Sequence, residues 1–161
     1  MARIPRHPRI VGSYTRPSHW RRNPVTGAWV IIAPERSARP MLEGDLPPPP
    51  PSEEPCPFCE GNERFTPGEL FAMREPGTRA DQPGWRVRAI PNGFAAVRGL
   101  GPAEPFGDPF FAQALGRGRH EVFIECPHHE TQLTQLTDHQ ILEVILAWRA
   151  RLADARNEPD L

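Results

Sequence analysis

The sequence predicts an α+β chain, an antiparallel half-sheet of about four or five strands with one long amphipathic helix on its face. Three observations predict it. Short β-branched or alternating runs recur at 28–33, 85–90 and 120–126. A single stretch with helical apolar spacing begins behind Thr137. Finally, 22 of the 161 residues are proline, far above the usual share, so much of the intervening backbone must be irregular. The length suits one domain, and no run of about 20 apolar residues exists to cross a membrane.

Residues 1–20 mix Arg, Pro and His without periodicity and are expected to be a flexible tail. They hold no apolar h-region, which speaks against a secretory signal. The domain proper is expected over 21–161. Asn23-Pro24-Val25-Thr26-Gly27 is turn chemistry, and 28–33 (AWVIIA) then reads as a buried strand stopped by Pro34. The proline-rich loop 40–55 contains Pro47 to Pro51 in succession, a stiff polyproline II spacer. The segment 68–75 (GELFAMRE) is open between a strand and one helical turn. Alternation makes 85–90 a strand, with a turn at Asn92-Gly93-Phe94 and a short continuation at Ala95-Ala96-Val97. Residues 99–118 read as a long Gly/Pro/Phe-rich loop, and 120–126 as a strand with Val122 and Ile124 on one face.

The helix is the clearest element. Thr137 and Gln140 form a capping box, with Leu136 and Ile141 as a hydrophobic staple. Ile141, Val144, Ile145, Trp148 and Leu152 follow helical spacing for about 18 residues, ending near Asn157-Glu158-Pro159. Few strands are available to cover so wide a stripe. An exposed sheet edge and helix face are therefore expected, in a marginal monomer that dimerises or aggregates.

The net charge of −1 hides an asymmetry: residues 1–40 carry eight arginines and one acid, Glu35. All 19 basic residues are Arg and none is Lys. A GC-rich genome accounts for that, but Arg also offers bidentate donors to phosphate. A pI of 6.6 speaks against a nucleic-acid coat. Three cysteines are too few for a disulfide scaffold and fit a reducing cytoplasm. Cys56-Pro-Phe-Cys59-Glu-Gly-Asn has the spacing of a metal knuckle; redox use or incidental thiols are the competitors. Cys126-Pro-His128-His129 offers three further ligands, or else a core thiol beside solvated histidines. Arg36 and Arg39, three residues apart, could clamp a diphosphate or simply be solvated. No Gly-rich phosphate loop, helical carboxylate pair or nucleophile elbow occurs.

Taken in order, NPVTGAWVIIAPERSARP, CPFCEGN, VRAIPNGFAAV and GRHEVFIECPHHETQLTQLTDHQI resemble the N-terminal half of the galactose-1-phosphate uridylyltransferase family, a branch of the histidine-triad superfamily. The likeness runs from about Arg22 to Trp148, and the VRAIPNGF form also looks like related nucleotide phosphorylases. It implies an incomplete histidine-triad-like fold and a homodimer. It implies structural Zn(2+) on Cys56, Cys59 and His129. Contacts to a UDP-sugar would come from Arg36, Arg39, Phe65, Asn92 and Gly93, the arginines reaching across the dimer. Gly93 stands where some members carry Asp, so only a backbone contact survives there. The implied chemistry is UDP-glucose–hexose-1-phosphate uridylyl transfer, in galactose metabolism. A neutral His takes the uridylyl group from UDP-glucose and passes it to the hexose-1-phosphate. The family's His-Pro-His segment, which supplies the nucleophile and a fourth zinc ligand, would lie beyond Leu161. No catalytic residue is therefore expected within this stretch, which reads as truncated and inactive alone. The rival reading is a stand-alone zinc-binding interaction module with its site closed by Cys56, Cys59, Cys126 and His129.

Overall fold

A computed structural model describes residues 17–38, 55–99, 104–129 and 132–158. Six strands and one α-helix are present among them: β1 (His19–Arg22), β2 (Trp29–Ile32), β3 (Phe71–Arg74), β4 (Trp85–Pro91), β5 (Gln113–Leu115), β6 (Glu121–Ile124) and α1 (Asp138–Arg156). The class is α+β, as expected. The single four- or five-stranded sheet is not what forms. Two three-stranded antiparallel sheets form instead, in the orders β2-β1-β5 and β3-β4-β6.

The reason lies in the segment read as a long loop. Residues 113–115 are a strand, and β5 pairs with β1, Trp20 opposite Ala114. Small side chains allow this. Gly116 approaches so closely that an added Cβ would lie 2.4 Å from the Ser18 carbonyl oxygen. The pairing also takes the end of the supposed tail into the sheet: Ser18 and His19 are buried, and His19 begins β1. Residues 1–16 and the polyproline run lie outside the described residues.

β2 is a strand as expected, but not a buried one. It sits at the sheet's edge, with Trp29, Val30 and Ile31 exposed at 39%, 48% and 38%. Among the described residues the apolar clusters lie elsewhere. One joins Val87, Cys126, Leu136, Val144 and Ala147 between the second sheet and α1. The other joins Trp85, Ile90 and Ile124 on the sheet's opposite face, with Val122 packed beside them. The segment left open at 68–75 resolves as β3, paired to β4. Ala95-Ala96-Val97 does not continue the strand; after Asn92 the chain turns and Ala96 donates its N–H to His120 Nδ1 at 2.9 Å instead.

Between Met73 and Arg74 the register of β4 shifts: Met73 faces Val87, but Arg74 faces Trp85. The extra residue, Arg86, forms a bulge. Arg86 and Val87 both turn to α1, where Arg86 Nε donates to both Glu143 oxygens at 2.8 and 3.0 Å. Trp85 turns to the other face.

The helix begins and ends as predicted. Thr137 Oγ1 accepts from Gln140 N–H, Gln140 reaches back to the Thr137 N–H, and Asn157 is the C-cap. Leu136 is buried with Ile141 against it. The buried line, however, runs through Glu143, Val144 and Ala147. Leu142, Ile145 and Leu152 are half exposed or more, so part of the apolar stripe is uncovered.

Candidate metal centre and arginine turn

The Cys-Pro-Phe-Cys segment closes a tight turn. Cys59 N–H donates to Cys56 O at 3.3 Å, Asn62 N–H to Cys59 O at 3.1 Å, and Asn62 Nδ2 to Cys56 O at 2.9 Å. Gly61 adopts φ +89°, which a glycine takes without strain. The turn is latched to the end of β6 by Glu60 N–H donating to Pro127 O at 3.0 Å. That latch delivers His129: its Nδ1 lies 3.7 Å from Cys59 Sγ. The ligand atoms of Cys56, Cys59 and His129 all fall within 4.8 Å of one another. Burial pushes the Cys59 thiol up, and the neighbouring Cys56 and then Cys126 push it further. Two thiols and an imidazole in mutual contact form a donor set that suits a borderline-soft divalent cation, whose charge would offset the repulsion between thiolates.

Cys126 is not part of that group. It packs into the helix-side cluster and its Sγ–H donates to His128 O at 3.3 Å. The four-ligand closed site with Cys126 is therefore not formed, and the core-thiol alternative describes this residue.

A second set of residues, which the sequence reading missed, fastens the knuckle to the sheet. Glu63 is buried and accepts from Trp85 Nε1 at 2.7 Å and from Gly61 N–H at 3.0 Å. Burial alone would raise its carboxyl; these hydrogen bonds and Arg88 outweigh that and hold it below its ordinary value. Glu60 accepts from Gly84 N–H at 2.6 Å. Arg88, 1% exposed, meets Asp81 at 2.6 Å, Thr66 Oγ1 at 2.8 Å and Glu69 at 3.4 Å. Gly61 apart, no local pattern announces these partners, because they are 7 to 24 residues apart in the chain.

The Asn92-Gly93-Phe94 turn gathers the rest. Asn92 Oδ1 accepts from Phe94 N–H at 2.8 Å. His120 braces the turn: its carbonyl accepts from Asn92 N–H at 2.8 Å, and its Nε2 sits 3.0 Å from Asn92 Nδ2. Alternation marked 120–126 as a strand without marking this ring. Arg36, from the short 3-10 turn Pro34–Ala38 after β2, donates through Nη1 to Phe94 O at 2.6 Å. The structure thus brings Arg36, Asn92 and Gly93 together. Arg39 lies outside the described residues. Phe65 ends the knuckle, 52% exposed, with the Arg64 guanidinium 4.7 Å above its ring. An added Cβ at Gly93 would meet nothing within 4 Å, so the position is sterically open to a larger side chain.

Residues 13–161 match the family described as galactose-1-phosphate uridyl transferase, N-terminal domain. A galactose-1-phosphate uridylyltransferase of Haemophilus influenzae is 33% identical over 145 residues, which cover 87% of this chain and 38% of that protein. An ADP-glucose phosphorylase of Arabidopsis thaliana is 32% identical over 136 residues, covering 82% of this chain and 37% of that protein. A solved structure described as a uridylyltransferase superposes with a TM-score of 0.56 at 25% identity, over 88% of this chain and 36% of the other. The chain spans under two-fifths of the length of each of these relatives.

Proposed function

The chain belongs to the galactose-1-phosphate uridyl transferase family, as its N-terminal domain, and from that premise we propose that it is the nucleotide-sugar-binding part of a nucleotidyltransferase of histidine-triad type. UDP-glucose is the donor and a hexose-1-phosphate the acceptor. Arg36 and Arg39 hold the diphosphate, and Phe65, Asn92 and Gly93 contact the nucleotide sugar. The observation that carries this reading is the bond from Arg36 to the Phe94 carbonyl, which unites two segments 58 residues apart at one turn. A guanidinium fixed there keeps further donors for phosphoryl oxygens.

The transfer runs in two steps. A histidine nitrogen attacks the α-phosphorus, and the bond to the bridging oxygen breaks, releasing glucose-1-phosphate. A phosphate oxygen of the acceptor then attacks the uridylyl-histidine and frees the ring. The proposal takes that histidine from outside the 161 residues, because none of His7, His19, His120, His128, His129 and His139 stands in a His-Pro-His sequence. The arginines stabilise charge on the phosphoryl oxygens as it is transferred.

Cys56, Cys59 and His129 would hold zinc. Bound there, it supplies a structural cross-link between the knuckle and the end of β6 rather than an activated water. The working unit is proposed to be a cytoplasmic homodimer whose domain spans 21–161, with 40–55 as a spacer. Among the described residues no helix is long and apolar enough to cross a membrane. The Arabidopsis relative favours a second reading, a phosphorylase in which phosphate replaces the hexose phosphate as acceptor.

Calorimetry of the purified chain with UDP-glucose and ADP-glucose tests the proposal. Binding of either, lost when Arg36 and Arg39 are both replaced by Ala, is the expected result, and the preferred base chooses between the two readings. A chain that binds neither overturns it.

A further inference from the structure

We propose that Arg98 is a further phosphate-binding residue, paired with Arg36 on the Asn92-Gly93-Phe94 turn. The inference rests on the reading above and deepens it by adding a second cation to the same site. Arg36 Nη1 donates to Phe94 O at 2.6 Å, and Arg98 Nη2 donates to Gly93 O at 2.9 Å. Two guanidinium groups from distant segments are thus anchored on consecutive carbonyls of one turn. A carbonyl fixes the orientation of a guanidinium without cancelling its charge, and each fork keeps its remaining N–H donors.

The arginines of the second sheet, of the segment leading into β6 and of α1 make the contrast. Arg74 pairs with Glu69, Arg86 with Glu75 and Glu143, Arg88 with Glu69 and Asp81, Arg119 with Asp154 and Glu158, and Arg151 with Glu121 and Asp154. Among the described residues neither Arg36 nor Arg98 meets a carboxylate, and nor does Arg117, which lines one cavity with Arg98, Glu35 and Ser18. One acid against two arginines leaves net positive charge in that recess, and Arg36 stands on the turn to which Arg98 is tied. Like charges held close cost free energy that a bound anion returns, and the planar forks match phosphoryl oxygens. The chemistry fits a phosphate or diphosphate group, whether carried by a sugar nucleotide or free.

The test compares Arg98→Gln and Arg36→Gln with the parent chain, using UDP-glucose, inorganic pyrophosphate and uridine as ligands. Both side chains lie outside the core, so both variants should keep the parent's unfolding midpoint. Arg98→Gln is expected to weaken UDP-glucose and pyrophosphate about tenfold or more and to leave uridine unchanged. Loss of pyrophosphate affinity with UDP-glucose unaffected supports a site for free phosphate. Parent-like binding of both phosphorylated ligands by Arg98→Gln, with affinity lost in Arg36→Gln, overturns the role of Arg98 and leaves the wider reading standing. If Arg36→Gln and Arg98→Gln both bind as the parent does, the arginine site falls altogether.

Discussion

The two sheets solve opposite problems. The β3-β4-β6 sheet is covered on both faces, by α1 on one side and by the knuckle and its following loops on the other. It holds both apolar clusters, and its arginines are neutralised by acids. The β2-β1-β5 sheet has three strands as well, but buries chiefly small residues such as Ala112 and Ala114, and leaves Trp29, Val30 and Ile31 at the surface. Its arginines, Arg21 and Arg22, meet no carboxylate among the described residues. The first arrangement is self-sufficient. The second presents unspent apolar surface and charge to whatever binds there. The difference teaches that two sheets of equal strand number can divide the work, one holding the core and the other keeping exposed charge, Arg21 and Arg22, on its central strand.

The contrast breaks most sharply at Trp85. Trp85→Ala should destabilise the fold by about 3–5 kcal/mol in urea unfolding, since it empties a core site. It also removes the Nε1–H that Glu63 accepts. A loss below about 1 kcal/mol would show that the second sheet is not the stabilising unit. Next is the proposed metal centre. The parent is expected to take up one zinc per chain in native mass spectrometry, and Cys56→Ala should abolish that uptake and lower the unfolding temperature of the zinc-loaded chain by several degrees, as chelation should in the parent. Zinc retained at one per chain would remove Cys56 from the site.

The acid limb of stability sharpens the comparison further. Glu63 and Asp81 are both held below their ordinary carboxyl values, Asp81 by the Glu69 N–H and by Arg88 against an opposing burial effect. A carboxyl depressed in the folded state contributes stability above its unfolded value, lost as pH falls through the folded one. Unfolding should therefore grow easier below about pH 4.5, Glu63's unperturbed value, and Glu63→Gln should flatten that part of the pH profile. An unchanged profile in Glu63→Gln would deny its coupling to folding. The smallest effect is expected on β2. Trp29→Ser should change stability by under about 0.5 kcal/mol while reducing self-association in sedimentation. A cost like that of Trp85→Ala would mean that the first sheet has a core of its own.

What the sequence could reveal follows from how far apart the interacting residues lie. The capping box at Thr137 and Gln140 was legible because its partners are three residues apart. The Cys56–Cys59 pair was legible for the same reason. The strand at 113–115 was not: its composition is that of a loop, and only pairing with β1 makes it extended. β2 was legible as a strand, but whether its apolar residues are covered depends on a layer that no local pattern encodes. Arg88 and Glu63 were invisible, since a buried charge is recognised only by its distant partners. His129 was chosen over His128 by resemblance, and the latch at Pro127 is what brings it to Cys59.

The bulge at Arg86 works as a phase shifter in β4. Downstream of it the strand keeps strict two-residue alternation, and upstream the alternation runs inverted. Deleting this one residue would remove the bulge, leaving Trp85 next to Val87 and, by ordinary alternation, still on the knuckle side, while the guanidinium that grips Glu143 is lost. The ring that donates to Glu63 would keep its place opposite Arg74. A single-codon deletion at 86 should therefore cost about what Arg86→Ala costs, because the face of the sheet that the Cys56–Cys59 turn grips is unchanged.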